Sequence, residues 1–221
     1  MHSRNTRLRL TAAAVLATAL LLSGCGTTSA PVDDATTQQK SKSGYQGTEL
    51  DRPFEKPDLR LTGTDGQPYD LRQRSAGRAT LLFFGYTNCP DVCPTTLGDV
   101  SVALQKQPQE IRDKIDVVFV TTDPARDTPE QLNKWLKAFG DRFTGMSGDL
   151  AQVKQAAKSL GVSVEDPNVH HDGTVTSSHG TQVLAFLPTD DKAHVLYTSG
   201  TPIDSFVKDL PLLAKGVSTA S

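Results

Sequence analysis

The sequence has only three cysteines and almost no excess of charge of either sign. It contains 23 Lys and Arg against 25 Asp and Glu, which gives a formal net charge of −2 over 221 residues. Proteins that bind nucleic acid carry a basic patch or a basic overall charge, so nucleic acid is not expected as a partner. The 17 Gly and 13 Pro are close to average usage, which excludes collagen-like and low-complexity chains. The length fits one domain or two small ones, and no internal repeat is visible.

The N-terminal apolar run is too short to span a membrane as a helix. Residues 10–22 are mostly apolar and uncharged, whereas a spanning helix needs about 20 such residues. Three arginines precede the run. A positive segment followed by a short apolar segment is typical of a secretory signal peptide, which we place at residues 1–24.

The predicted signal peptide ends in Leu22-Ser23-Gly24-Cys25, which resembles a bacterial lipobox. In that motif the Cys thiol accepts a diacylglycerol and becomes the first residue after cleavage. Several acyl chains anchor a protein stably, whereas one binds only marginally. We therefore expect a protein that is lipid-anchored through Cys25 on the extracytoplasmic face of the cell membrane. An ordinary cleaved signal with an incidental Cys is the alternative.

A polar stretch follows the predicted lipidation site. Residues 26–50 hold only five apolar side chains, too few to offset the entropy lost on ordering the backbone. We expect lipidated Cys25 and a flexible tether over residues 25–50. The folded domain is then expected over residues 51–215.

The apolar pattern of this domain predicts alternating strands and helices. Two continuous apolar runs, at residues 79–84 and 116–121, are typical of strands buried on both faces of a parallel sheet. The predicted elements are strands at 79–84 and 116–121 with a helix at 97–104 between them, helices from 128 and 149, a strand pair at 183–187 and 195–197, and a helix from 203. A βαβ unit followed by a β-hairpin and a closing helix is the plan of the thioredoxin-like α/β folds. An extra N-terminal hairpin is expected around residues 59–61 and 69–71.

With Cys25 assigned to the lipid, Cys89 and Cys93 are the two cysteines of the domain. They stand between the first buried strand and the first helix, for which Pro94 suits the first helical position. Open α/β sheets bind ligands at that edge, and a helix N-terminus is expected to lower the pKa of a thiol. Three residues separate the cysteines, in place of the two of a C-x-x-C redox pair. Two thiolates are soft donors that favour Cu(I).

A third ligand would complete a trigonal copper site, and imidazole suits copper. His2 lies in the predicted signal peptide. His194 is expected to be a solvated edge residue, and His170 and His171 to lie in a solvated loop, where they remain candidates. His179 precedes a predicted strand whose entrance lies beside the start of the first helix in a thioredoxin-like fold. We therefore expect His179 to be the third ligand.

The chain resembles the Sco (SenC) family over about residues 50–213. The resemblance rests on Y-T-N-C-P-D-V-C-P at residues 86–94, on T-T-D-P-A-R-D-T-P-E at residues 121–130, and on a His ahead of the hairpin. It implies a thioredoxin-like fold, a copper cofactor, Cu(I) or Cu(II), and help in assembling the copper site of cytochrome c oxidase.

Carried over to this sequence, the resemblance implies copper ligation by Cys89, Cys93 and His179. Asp123 matches a family Asp near the site, where it would support the ligands or contribute to docking. The implied partners are the copper-bearing subunit of cytochrome c oxidase or another copper chaperone.

The expected function is therefore that of a membrane-anchored copper chaperone. The alternative is a thiol–disulfide reductase that keeps the oxidase cysteines reduced, in which Cys89 and Cys93 are catalytic and His179 is not required. Whether the protein is an enzyme depends on which of these two applies. The motif does not match that of a peroxidase. A purely structural disulfide between the two cysteines would close too short a loop to stabilise the fold much.

Overall fold

A computed structural model describes residues 43–219. The predicted signal peptide, the lipidation site Cys25 and the tether up to residue 42 lie outside the described residues. Within residues 43–219, no helix is long and apolar enough to cross a membrane. The elements are β1 (Thr48–Glu55), β2 (Arg60–Gly63), β3 (Pro68–Asp70), α1 (Leu71–Arg74), β4 (Ala79–Gly85), α2 (Val92–Gln105), α3 (Gln109–Arg112), β5 (Ile115–Thr121), α4 (Pro129–Leu136), β6 (Phe143–Ser147), α5 (Leu150–Ser159), β7 (Asn168–Val169), β8 (Val175–Thr176), β9 (Val183–Phe186), β10 (Lys192–Tyr197) and α6 (Ile203–Lys215).

Eight strands form one mixed sheet in the order β1-β10-β9-β4-β5-β6-β2-β3. The neighbours β4, β5 and β6 run parallel, and the remaining pairs are antiparallel. All seven residues of β4 are buried, which is why this strand is a continuous apolar run. The short β7 and β8 pair in a separate two-stranded sheet, which we call the β7–β8 hairpin.

The outer strands of the large sheet are irregular or short. The pairing of β1 with β10 is interrupted between Glu49 and Phe54, and Pro53 in that stretch has no N–H to donate. At the other edge, β3 has only three residues.

Helices cover both faces of the sheet. Successive side chains of β4 point to opposite faces, so Phe83 enters one core and Phe84 the other. Helices α2, α4 and α6 close the first core, whereas α5 and the β2–β3 hairpin close much of the second. The predicted α/β class, with a βαβ unit, a hairpin and a closing helix, is confirmed.

Local sequence signals located several helix starts correctly. The Thr128 hydroxyl accepts a bond from the Gln131 N–H, with Pro129 in the first helical position of α4. The Asp149 carboxylate accepts a bond from the Gln152 N–H at the start of α5. These bonds satisfy backbone donors that have no partner inside the helix.

The structure differs from the sequence expectation in several elements, and two of the differences concern α2 and β6. Helix α2 begins at Val92 rather than Pro94, so Cys93 lies in its first turn. Strand β6 was not predicted, because Phe143–Ser147 contains a glycine and no clear alternation. Strand β2 pairs with β6, and the predicted N-terminal hairpin is therefore part of the main sheet.

The last residues of the predicted tether pack on the domain. Strand β1 begins at Thr48, so the boundary expected at residue 51 lies inside a strand. Tyr45 is only 2% exposed, and its hydroxyl donates to the Val217 carbonyl at 2.6 Å. The Asp209 carboxylate on α6 accepts bonds from the N–H groups of Gln46 and Gly47. A single buried aromatic ring and one carboxylate therefore order a segment whose average composition is polar.

Asp209 gives a prediction for the pH dependence of stability. Its side chain is fully buried, and burial raises the pKa of this carboxyl above its ordinary value. A raised pKa in the folded state means that stability is lost as the pH rises from the unfolded-state pKa, about 3.9, through the folded-state value. We expect the wild type to lose stability relative to Asp209→Asn over that range in urea unfolding at a series of pH values. A wild type that gains stability relative to the variant would contradict the prediction.

Candidate metal centre

The two cysteines lie at the carboxyl ends of β4 and β5. Strand β4 ends at Gly85, whose carbonyl accepts a bond from the Thr122 N–H at 2.7 Å. Residues 86–91 then connect β4 to α2, and the Cys89 N–H donates to the Tyr86 carbonyl at 3.2 Å. Cys89 is half-buried in this loop, whereas Cys93 is fully buried in the first turn of α2.

The structure brings together the three predicted ligands. One donor atom each of Cys89, Cys93 and His179 can be chosen so that all lie within 4.8 Å of one another. The Cys93 Sγ lies 3.6 Å from the His179 Nε2. The Cys93 N–H donates to the Cys89 Sγ at 3.4 Å, and both cysteines are free thiols. A single ion could therefore contact all three side chains.

The surroundings of His179 select one tautomer of its ring. The Nδ1 lies 2.9 Å from the Gly180 carbonyl oxygen, which can only accept, so Nδ1 carries the proton. The Nε2 lone pair then faces Cys93, as ligation requires. Burial lowers the pKa of the imidazole below its ordinary value. The rings of Phe83 and Tyr86 stand edge-on to the imidazole, with centroid distances of 6.0 and 5.9 Å.

The expected lowering of the thiol pKa at the helix N-terminus is wrong for Cys93. Burial raises the pKa of this thiol well above its ordinary value, and this outweighs the bond that it accepts from the Tyr86 backbone. The cause is that the thiolate loses its hydration at a fully buried position. A metal ion deprotonates a thiol that coordinates it, so metal binding at Cys93 must release a proton.

The donor set fits copper better than it fits the other common metals. Thiolates are soft ligands that suit Cu(I), zinc and iron–sulfur clusters, and imidazole suits copper and zinc. A structural zinc site takes four protein ligands, whereas three donors converge here among residues 43–219. Because Cys89 is half-buried, one side of the centre is open to approach from solvent.

The other predicted residues lie in different environments. Asp123 is 2% exposed and forms an ion pair with Arg126, and it is not part of the three-residue group. His170 and His171 are exposed in the β7–β8 hairpin. The expectation of a solvated His194 is wrong, since this side chain is 6% exposed and lies 2.8 Å from the Asp190 carboxylate and 3.0 Å from the Thr219 hydroxyl.

Sequence reasoning missed several residues that surround the ligands. Phe83 and Tyr86 flank the imidazole, and nothing in their spacing indicated this. Gly85 lies so close to Cys93 that a Cβ added to it would stand 2.8 Å from the Cys93 Sγ. Asp127 is fully buried and accepts two hydrogen bonds from Thr87 in the loop that connects β4 to α2. The position of Asp127 in the motif at residues 121–130 was the one sequence feature that could have pointed to it.

Comparison with known proteins assigns this chain to a protein family. The sequence model of the family described as SCO1/SenC matches residues 47–213, which is more than half of the chain. A Stutzerimonas stutzeri protein that is named as a copper-binding protein by inference is 34% identical over 155 residues. These residues cover 70% of this chain and 74% of that protein. The chain belongs to the SCO1/SenC family.

Solved structures of SCO1/SenC members share the fold. The apo Sco1 protein of Thermus thermophilus is 34% identical, with a TM-score of 0.66 over 76% of this chain and 96% of that one. Bradyrhizobium japonicum ScoI, solved with copper bound, is 29% identical, with a TM-score of 0.62 over 73% of this chain and 98% of that one. The thioredoxin-like fold predicted from the element order is therefore confirmed.

Other curated relatives, from eukaryotes and bacteria, match this chain over only part of their length. The matched region covers between 26% and 50% of their length. These matches span 86 to 123 residues, fewer than the region that the SCO1/SenC model matches.

Proposed function

We propose that the protein is a copper chaperone that binds one copper ion through Cys89, Cys93 and His179. The observation that carries the proposal is the convergence of two thiols and one imidazole nitrogen within 4.8 Å at an edge of the sheet. The copper bound to a SCO1/SenC member that is 29% identical supports it. Copper is the cargo in this proposal, and the protein both holds and releases it.

The three side chains would contribute differently to holding copper. Cys93 is fully buried and supplies the inner sulfur. Cys89 is half-buried and supplies the sulfur that a partner reaches first. His179 offers Nε2, because its Nδ1 is committed to the Gly180 carbonyl. A site with three ligands and one open side can pass its ion to a partner by ligand exchange, whereas a closed four-ligand site would retain it.

We further propose that the recipient is the copper-bearing subunit of cytochrome c oxidase, with another copper chaperone as the other candidate partner. Membership of the SCO1/SenC family supports this assignment. The lipobox at Cys25 supports an anchor in the cell membrane with the domain on the extracytoplasmic face. Such an anchor would raise the local concentration of the chaperone beside a membrane-embedded oxidase. Mass spectrometry of the N-terminal peptide tests the anchor, since an unmodified Cys25 in the membrane fraction would exclude it.

An anaerobic copper titration tests the binding proposal. The protein is the full chain in detergent, carrying Cys25→Ala so that the unlipidated chain has no third thiol, and a Cu(I) chelator sets the free copper concentration. We expect one copper per chain with a Kd of about 1 nM or tighter, about −12 kcal/mol. A chain that fails to hold copper under these conditions would overturn the proposal.

A thiol–disulfide reductase is the second candidate function. A half-buried Cys89 beside a buried Cys93, whose N–H donates to the Cys89 Sγ, is an arrangement in which one thiol attacks and the other resolves. The two functions differ in their need for His179. Rapid reduction of a protein disulfide that survives His179→Ala, in a chain that does not hold copper, would favour the reductase.

A further inference from the structure

The turn between β5 and α4 contacts both segments that carry the proposed ligands. This turn, residues 122–127, belongs to neither segment. We call residues 86–93 the cysteine arm and residues 175–180 the histidine arm. The arms are far apart in the sequence, so their relative placement depends on contacts that bridge them.

One side of the turn contacts the histidine arm. The Arg126 guanidinium donates to the buried Asp123 carboxylate and, through Nη2, to the Val175 carbonyl at 3.1 Å. The Ser177 hydroxyl lies 2.8 Å from the Thr122 hydroxyl. Asp123 fixes the direction of the guanidinium, because a planar fork held by a carboxylate has little rotational freedom. Arg126 is thereby directed at a backbone oxygen four residues before His179.

The other side of the turn contacts the cysteine arm. The buried Asp127 carboxylate accepts bonds from the Thr87 N–H at 2.9 Å and the Thr87 hydroxyl at 2.5 Å. It also accepts a bond from the Thr121 hydroxyl at 2.6 Å. Asp127 therefore ties the loop two residues before Cys89 to the end of β5.

We propose that the two aspartates of this turn position different ligands: Asp123 acts through Arg126 on His179, and Asp127 acts on Cys89. The inference rests on the proposed copper binding. Ligands that are ordered before the ion arrives lose less entropy when they bind it. Groups that orient metal ligands change metal affinity about 10- to 100-fold when they are removed. Arg126 is positively charged and by itself repels a bound cation, so removing its charge alone would strengthen copper binding. A weaker copper affinity in Arg126→Gln must therefore have another cause.

A double-mutant cycle on copper affinity tests the histidine half of the proposal. The full chain with Cys25→Ala is titrated with Cu(I) against a chelator, with and without Arg126→Gln, in the parent and in the His179→Ala background. We expect Arg126→Gln to weaken binding about 10-fold in the parent and less than about twofold in the His179→Ala background. Arg126→Lys keeps the charge but cannot bond to the Asp123 carboxylate and the Val175 carbonyl at the same time. It is expected to weaken copper binding of the parent to a similar extent.

Asp127→Asn tests the cysteine half in the same two backgrounds. Because Asp127 acts on the cysteine arm, Asp127→Asn is expected to weaken copper binding about 10-fold in both backgrounds. Urea unfolding of every variant verifies that it is folded. Arg78→Gln is the matched control, since Arg78 forms a comparable pair with Asp116 at the opposite end of β4. It is expected to lower stability and leave copper affinity unchanged.

The outcomes separate this inference from the binding proposal. A parent chain that does not bind copper overturns the proposed function. A parent that binds copper while Arg126→Gln has no effect, tightens binding, or weakens both backgrounds equally overturns the positioning role of Arg126. A loss with Asp127→Asn that disappears in the His179→Ala background overturns the assignment of Asp127 to the cysteine arm.

Discussion

Cys93→Ser is expected to weaken Cu(I) binding by about 1,000-fold or more, which corresponds to about 4 kcal/mol. A serine hydroxyl is a hard donor that stays protonated, so a buried sulfur ligand is replaced by a group with little affinity for Cu(I). Cys93 lies 3.6 Å from His179 and is fully buried, and no solvent molecule can easily take its place. Chelator competition with the full Cys25→Ala chain measures the effect.

The neighbouring ligands are expected to show a graded series. Cys89→Ser removes the other sulfur and should also cause a loss of several orders of magnitude. His179→Ala leaves both sulfurs, which are the donors that suit Cu(I) best, and a smaller loss than that of either cysteine variant is expected. Val100→Thr is the matched control for Cys93→Ser, because it places a buried hydroxyl on the same helix away from the ligands. Should Val100→Thr weaken copper binding as much as Cys93→Ser does, the loss would reflect a damaged helix and not a missing ligand.

Gly85→Ala is expected to lower both stability and copper affinity. A Cβ at this position would stand 2.8 Å from the Cys93 Sγ and 2.8 Å from the Phe119 ring. Both neighbours are buried, so the overlap must be relieved by moving the sulfur or the ring. Overpacking of this kind costs about 1–3 kcal/mol of unfolding free energy, and displacement of the sulfur should weaken Cu(I) binding about 10- to 100-fold.

A second glycine offers a control for this substitution. Gly98 lies within α2, where an added Cβ meets nothing within 4 Å. Gly98→Ala is therefore expected to leave copper affinity unchanged and to raise stability by up to about 1 kcal/mol, the usual gain in a helix interior. Normal copper affinity in a stable Gly85→Ala variant would show that the sulfur has room to move without loss of the site.

Features encoded by neighbouring residues could be predicted from the sequence. The apolar run of β4 and the capping residues Thr128 and Asp149 act over a few positions, and each was located correctly. The three proposed ligands were also named in advance, because two of them are in one motif and the third follows from the element order. The structure brings these three together.

Features that depend on distant contacts could not be predicted. Strand β6 contains Gly145, whose missing side chain makes room for Leu132, Leu136 and Thr64, and such a fit is invisible in local pattern. His194 is buried because Asp190 and Thr219 lie against it. The raised pKa of Cys93 likewise follows from tertiary burial, which overrides the local effect of the helix start.

The edges of the large sheet bear on how the folded protein behaves at high concentration. A long regular edge strand exposes a row of unpaired backbone groups that can recruit a strand of another molecule. Here β1 is interrupted and contains Pro53, and β3 has three residues. Among the described residues, the strongly apolar segments β4 and β5 lie inside the sheet, away from both edges. The fold therefore confines its most aggregation-prone sequences to positions that a second copy can reach only if the domain unfolds.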